Sequence, residues 1–174
     1  GYPFELSVVD LDDTTDRESI VLLGKIDGGD GAPELWIVEA FEPANESDDP
    51  LTLAPLASQY EQIPGGGDAP SVPETSFEEI ITRNFFGRDE PPRWVLLANA
   101  AHLVLIDRNK WNRKRLLRFD LPEIFGRREL STFQAVSALL HRESVCPPEG
   151  MSLLDTLDEN SHKHAFSVSE DLKY

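Results

Sequence analysis

RWVLLANAAHLVLIDRNKWNRKRLLRF, residues 93–119, decides how this chain is organised. Two apolar runs, Arg93 to Leu97 and Leu103 to Ile106, are joined through Asn99, Ala100 and Ala101. That is the pattern of two strands in a tight hairpin near a core. Leu116 to Phe119 predicts a further short strand, reached through a stretch crowded with Lys and Arg.

Upstream of the hairpin, Ser76 and Glu79 have capping-box spacing, and Phe77, Ile80, Ile81 and Phe85 fall on one helical face, so a helix is expected there with Gly87 ending it. Further back, Phe4, Leu6 and Val8 alternate with other residues. Ile20 to Leu23 is a short apolar run and Leu35 to Phe41 (LWIVEAF) is another, with turn residues around Asp27 to Gly31. A meander of about three strands accounts for them. Residues 43–74 read as a long polar loop with room for one short helix, carrying NESDDP, LAPLASQY and PGGGDAP. Downstream, Asp120 with Pro122 starts a short helix. Ser131 precedes another, with Phe133, Val136, Leu139 and Leu140 on its apolar side, and Ser152 onward reads as a helical arm. Strands, a helix, more strands and then helices give an α+β (or α/β) class, a mixed β-sheet with flanking helices.

The chain has 174 residues and 40% hydrophobic content, enough for a real core. Its single Cys146 excludes an intrachain disulfide and a cysteine-based zinc cluster. No apolar run reaches the roughly 20 residues of a membrane span, so a cytoplasmic protein without membrane partners is expected. The chain opens on Gly1 and ends at Tyr174 without a stop signal, which reads as a piece of something longer. Net charge is −16, with an uneven distribution. Residues 1–79 hold 19 acids and 2 bases, residues 80–142 hold 6 acids and 12 bases, and residues 143–174 hold 7 acids and 2 bases. The middle is a basic island between acidic flanks.

Acidic residues gather near LWIVEAF: Asp27, Asp30, Glu34 and Glu39. Magnesium-dependent nucleases hold their metal with an Asp at one strand end and a Glu on the next strand, and a Lys two residues after that Glu orients the attacking water. Here that position is Phe41. Asp27 and Glu39 are therefore weak candidates, with Lys25 the only early candidate for the missing Lys. Asp10, Asp12 and Asp13 lack the glycine and terminal Glu of a calcium loop. His162 and His164 diverge by about 200° on a helix. His102 reads as a core or core-edge residue, His141 as a partner of a helix end, and Gly65 to Gly67 as flexible linker without phosphate-binding spacing. Cys146 has no activating base nearby in sequence.

The basic island is the sharpest signal. Arg108, Lys110, Arg113, Lys114, Arg115, Arg118, Arg127 and Arg128 are half of the Lys and Arg in the chain, and they surround Trp111 and Phe119. Cations beside aromatics track a phosphate backbone and stack on bases. The same cations could instead neutralise the acidic first third, and both readings stay open here.

RWVLLANAAHLVLIDRNKWNRKRLLRFDLPEIFGRREL, followed by FQAVSALLHRESVCPPEGMSLLDTLDENSHKHAFSVSEDLKY, resembles the N-terminal region of large bacterial DNA adenine methyltransferases of restriction-modification and phage-defence systems, the type IIG-like enzymes among them. The resemblance covers about residues 75–174, with SHKHAFSVSEDLKY as its most specific part, and LWIVEAF fits the earlier half. It implies a nuclease-like domain over 1–150 with a degenerate PD-(D/E)XK core, then a helical connector over 151–174 leading to a methyltransferase domain outside this chain. The implied parent uses S-adenosylmethionine, but neither its glycine-rich loop nor the methyltransferase Pro-Pro motif occurs here, so no cofactor is expected on this chain. Three functions follow: a non-catalytic domain contributing DNA-backbone contact or interdomain docking, an active magnesium-dependent endonuclease, or a protein-interaction module without DNA contact. DNA, the methyltransferase domain in cis and other defence-system subunits are the implied partners.

Overall fold

The computed structural model describes residues 1–11, 18–41, 49–61 and 71–161. Runs such as LWIV and WVLL, apolar at every position, suit strands buried on both faces. Among the described residues six strands pair in chain order: β1 (Ser7–Asp10), β2 (Ser19–Asp27), β3 (Pro33–Glu39), β4 (Trp94–Ala98), β5 (His102–Asp107) and β6 (Leu116–Asp120). Neighbours are antiparallel except β3 and β4, which run parallel from the pair Leu35 and Trp94 to the pair Glu39 and Ala98. The architecture is thus α+β with a mixed sheet. The first meander and the 93–119 stretch take the paths read from their periodicity.

The connection from β3 to β4 carries the helix that fills one face. In α1 (Phe77–Ile80), Ser76 Oγ accepts from the Glu79 N–H at 3.4 Å. The helix then widens into a π-helical stretch, Ile81–Phe85, closed by Phe86 N–H donating to the Ile81 carbonyl at 2.9 Å. The widened turn keeps Phe77, Ile80, Ile81 and Phe85 all on the sheet side, each fully buried. They pack with Leu22, Trp36, Val38, Val95, Leu97, Val104 and Ile106 in one core, where Trp36 and Phe85 meet edge to face at 5.0 Å. At roughly 1.5–3 kcal/mol for each large apolar side chain buried, this face is a large contribution to the stability of the sheet unit. Gly87 follows because a Cβ there would lie 2.2 Å from the Arg83 carbonyl oxygen.

The described part of the 43–74 connection is anchored. Leu51 and Tyr60 are buried, the single 3₁₀ turn Ala57–Gln59 follows, and the Tyr60 hydroxyl donates to the Ser19 carbonyl at 2.6 Å. Burial, with the charge of Glu18 adding to it, pushes that hydroxyl's pKa well above its ordinary value.

The chain divides into two compact units, Tyr2–Arg128, and Glu129–Tyr174 together with Gly1. In the second unit, α4 (Leu130–Leu139) is capped by Glu129 and not by Ser131, because the left-handed Arg128 ends the preceding helix and Glu129 is already extended. Its apolar positions Phe133, Val136 and Leu139 are half-buried. α5 (Arg142–Val145) starts at His141, whose Nδ1 accepts from the Glu143 N–H at 3.3 Å. Residues 153–161 are helical, with Ser152 Oγ accepting from the Asp155 N–H at 3.1 Å.

Candidate nucleic-acid interface

The basic island is built outward from Asp107. This carboxylate is 5% exposed and receives Arg93 through two nitrogens, Nε at 3.0 Å and Nη2 at 3.2 Å. It also accepts from the Asn109 N–H at 2.9 Å and so caps α2 (Arg108–Trp111). The helix ends in a turn where the Lys114 N–H donates to the Trp111 carbonyl at 2.8 Å and the Arg115 N–H to the Lys110 carbonyl at 3.3 Å. That pairing is a Schellman motif with Lys114 at the left-handed position, φ 53°, where glycine is usual.

Trp111 explains what holds the lysine there. Its ring is 6% exposed, Nε1 donates to Thr82 Oγ1 at 3.0 Å, Phe86 meets it edge on at 6.3 Å, and Lys114 Nζ lies 4.4 Å from its centroid. Lys114 also pairs with Glu78. Trp111 is consequently a core residue, and the expectation that it stacks on bases is corrected: no face of the indole is open to a base. Phe119 is buried as well.

The eight cations separate into two kinds. Lys114 binds Glu78, Arg118 Nη2 lies 2.6 Å from Asp49 Oδ2, and Arg127 pairs with Glu123 one helical turn back. Arg108 Nη1 donates to the Pro91 carbonyl at 3.1 Å, and Lys110 lies 4.0 Å from Asp107. Arg113, Arg115 and Arg128 are exposed, and their guanidinium groups have no hydrogen-bond or ion-pair partner among the described residues. Arg113 and Arg115 stand in the turn before β6, and Arg128 ends α3 (Leu121–Arg127), which follows β6 directly. Two of these guanidinium groups thus precede β6 in the chain, and the third follows the helix after it. Arg128, like Lys114, is left-handed with φ 53°.

At Asp49, burial works to raise the carboxyl pKa. The Arg118 hydrogen bond, the Leu51 N–H and the charges of Arg118 and His102 outweigh it, and the net shift is downward. Sequence reasoning missed this pair and the Arg93 to Asp107 fork, since each joins residues whose proximity depends on strand register. It also missed His102 Nδ1 and Asn99 Nδ2, two buried polar atoms at the β4–β5 turn that lack a hydrogen-bond partner among the described residues.

The acidic candidates are not brought together. Asp27 sits opposite Pro33 at one end of the β2–β3 pair, whereas Glu39 lies six residues along β3 at the other end. At about 3.3 Å per residue they are roughly 20 Å apart, too far to share one metal ion. The pairing of Asp27 with Glu39 is therefore corrected. Lys25 lies 3.6 Å from Asp27, at the wrong end to serve Glu39. Among the described residues no group of three or more His, Cys, Asp and Glu is placed to hold a metal ion, and no helix is long and apolar enough to cross a membrane. Asp12, Asp13, Gly65 to Gly67, His162, His164 and the segment after Ser161 lie outside the described residues. No family model, curated protein or solved structure matches this chain.

Proposed function

We propose that the chain is a non-catalytic domain of a restriction or phage-defence DNA adenine methyltransferase and contributes contact to the DNA backbone. The observation that carries the DNA contact is the separation of the basic island into paired and unpaired cations. The guanidinium groups of Arg113, Arg115 and Arg128 are exposed and without partners among the described residues, on a fixed turn and a helix end. Such guanidinium groups suit phosphate, which they bind as planar forks. The methyltransferase context rests on the sequence resemblance, and S-adenosylmethionine belongs to the domain implied beyond this chain. A cytoplasmic location goes with the same reading.

Interdomain docking is favoured by a different observation. Lys114 and Arg118 pair with Glu78 and Asp49, both from the acidic first third, so part of the island already serves protein contact. Binding of the intact protein to duplexes of unrelated sequence tests the proposal. Phosphate contacts predict affinities that fall steeply with salt and change little with sequence. Saturable binding that ignores salt would refute it, and magnesium-dependent cleavage by this chain would promote the endonuclease reading.

A further inference from the structure

The edge of the sheet opposite β6 carries a second surface, independent of the DNA reading. Among the described residues β1 pairs on one side only, with β2. Because the Leu11 N–H donates to the Glu18 carbonyl, alternation along the ladder turns Val9 and Ser7 toward β2 and leaves the N–H and C=O groups of Val8 and Asp10 facing outward. The Asp10 carbonyl is already met by Arg88 Nη2 at 3.3 Å. The Val8 groups have no partner among the described residues. On the same stretch Phe4, Leu6 and Val8 are 72%, 40% and 38% exposed. Their path is fixed from behind, since Pro3 passes so close to Gly24 that a Cβ there would lie 2.3 Å from the Pro3 oxygen. Leu6 also walls a small cavity of about 30 Å³ with Val21, Leu23, Glu39 and Gln59.

We infer that this edge receives an extended, cationic segment of a partner protein, added to the sheet as a strand beside β1. An added strand takes its affinity from main-chain hydrogen bonds and its selectivity from alternate side chains. Val8 supplies the first, and Phe4, Leu6 and Val8 supply an apolar row for the second. The sign of the partner follows from charge. Glu5 and Asp10 flank the row, and residues 1–79 hold 19 acids against 2 bases. Two copies of this chain meeting at β1 would bring these acids face to face, which disfavours self-pairing, whereas a Lys- or Arg-bearing strand is drawn in.

The probe is a labelled peptide of about eight residues alternating valine with lysine and threonine, compared with a counterpart carrying glutamate for lysine. The full chain should bind the cationic peptide saturably, with the Val8 amide gaining protection from hydrogen exchange. Val8→Pro removes the outward N–H while sparing the ladder to β2, and should weaken binding at least tenfold. Val8→Lys keeps the backbone and should weaken it through charge. Both variants are first checked for an unchanged circular dichroism spectrum. Equal binding of the glutamate peptide, unchanged binding to Val8→Pro, no saturable binding, or self-association of the wild-type chain through β1 would each overturn the inference.

Discussion

On one side of the sheet β6 is preceded by Arg115, carries Arg118 and runs directly into α3. On the other, β1 is led in by Phe4 and Leu6, and Arg88 donates to the outward Asp10 carbonyl. Exposed strand edges invite pairing with another chain, and charged side chains with a covering helix are common ways of preventing it. The β6 edge carries the charged Arg118 and Asp120, whereas at the β1 edge the exposed Phe4, Leu6 and Val8 are apolar and Asp10 is the one charge within the strand. The comparison teaches that the charge asymmetry of the sequence is also a spatial one: the basic island borders one edge, and the segment leading into the other is acidic and apolar.

The largest expected effect removes what the two edges share. Phe85 is fully buried between the sheet and the helix, so Phe85→Ala should cost about 3–5 kcal/mol, read from denaturant unfolding. Amide exchange should speed up at both edges together. Loss of protection at β6 alone would show that the edges do not depend on one core.

A smaller effect isolates the β6 edge. The side chains of Arg118 and Asp49 are about one-third exposed, so Arg118→Ala should cost only about 0.5 kcal/mol near neutral pH. The Asp49 pKa is lower in the folded chain than its ordinary 3.8. Its contribution is therefore fully present above the unfolded value and is lost as pH falls through the folded one. The stability difference between wild type and variant should stay constant above about pH 5 and vanish in stronger acid. A difference that grows on acidification would contradict the assignment.

Why some of this was legible and some was not can be traced to particular residues. Ser76 with Glu79, and Asp120 with Pro122, announce helices because capping chemistry is local, and the four apolar residues after Ser76 sit at helical spacing. The hairpin through Asn99 is local too. Trp111 misled because an indole among cations looks the same in sequence whether it faces solvent or core; the contacts that bury it, Thr82 and Phe86, come from another element. Asp27 and Glu39 looked like a site because strand order was visible but register was not. Lys114 hid a helix terminus, since the turn it makes is normally signalled by glycine.

That turn gives the smallest effect. Lys114→Gly relieves a left-handed backbone worth about 1 kcal/mol, but removes a cation over an indole and an exposed ion pair worth similar amounts together. Net stability should change by less than about 0.5 kcal/mol, whereas Lys114→Ala, which keeps the strain and loses the contacts, should be clearly less stable. Equal destabilisation by both would show that the left-handed conformation carries no strain.

The division of the basic island into free and paired cations is tested most directly by the salt dependence of DNA binding. In the intact protein, replacing Arg113, Arg115 and Arg128 together with Ala should reduce the slope of log K against log salt by up to about 2.7, at about 0.9 for each phosphate contact, and leave the melting temperature unchanged. Replacing Lys114, Arg118 and Arg127 instead should lower the melting temperature and alter the slope much less. An unaltered slope in the first variant would contradict the account, most plainly if that variant also melted at a lower temperature.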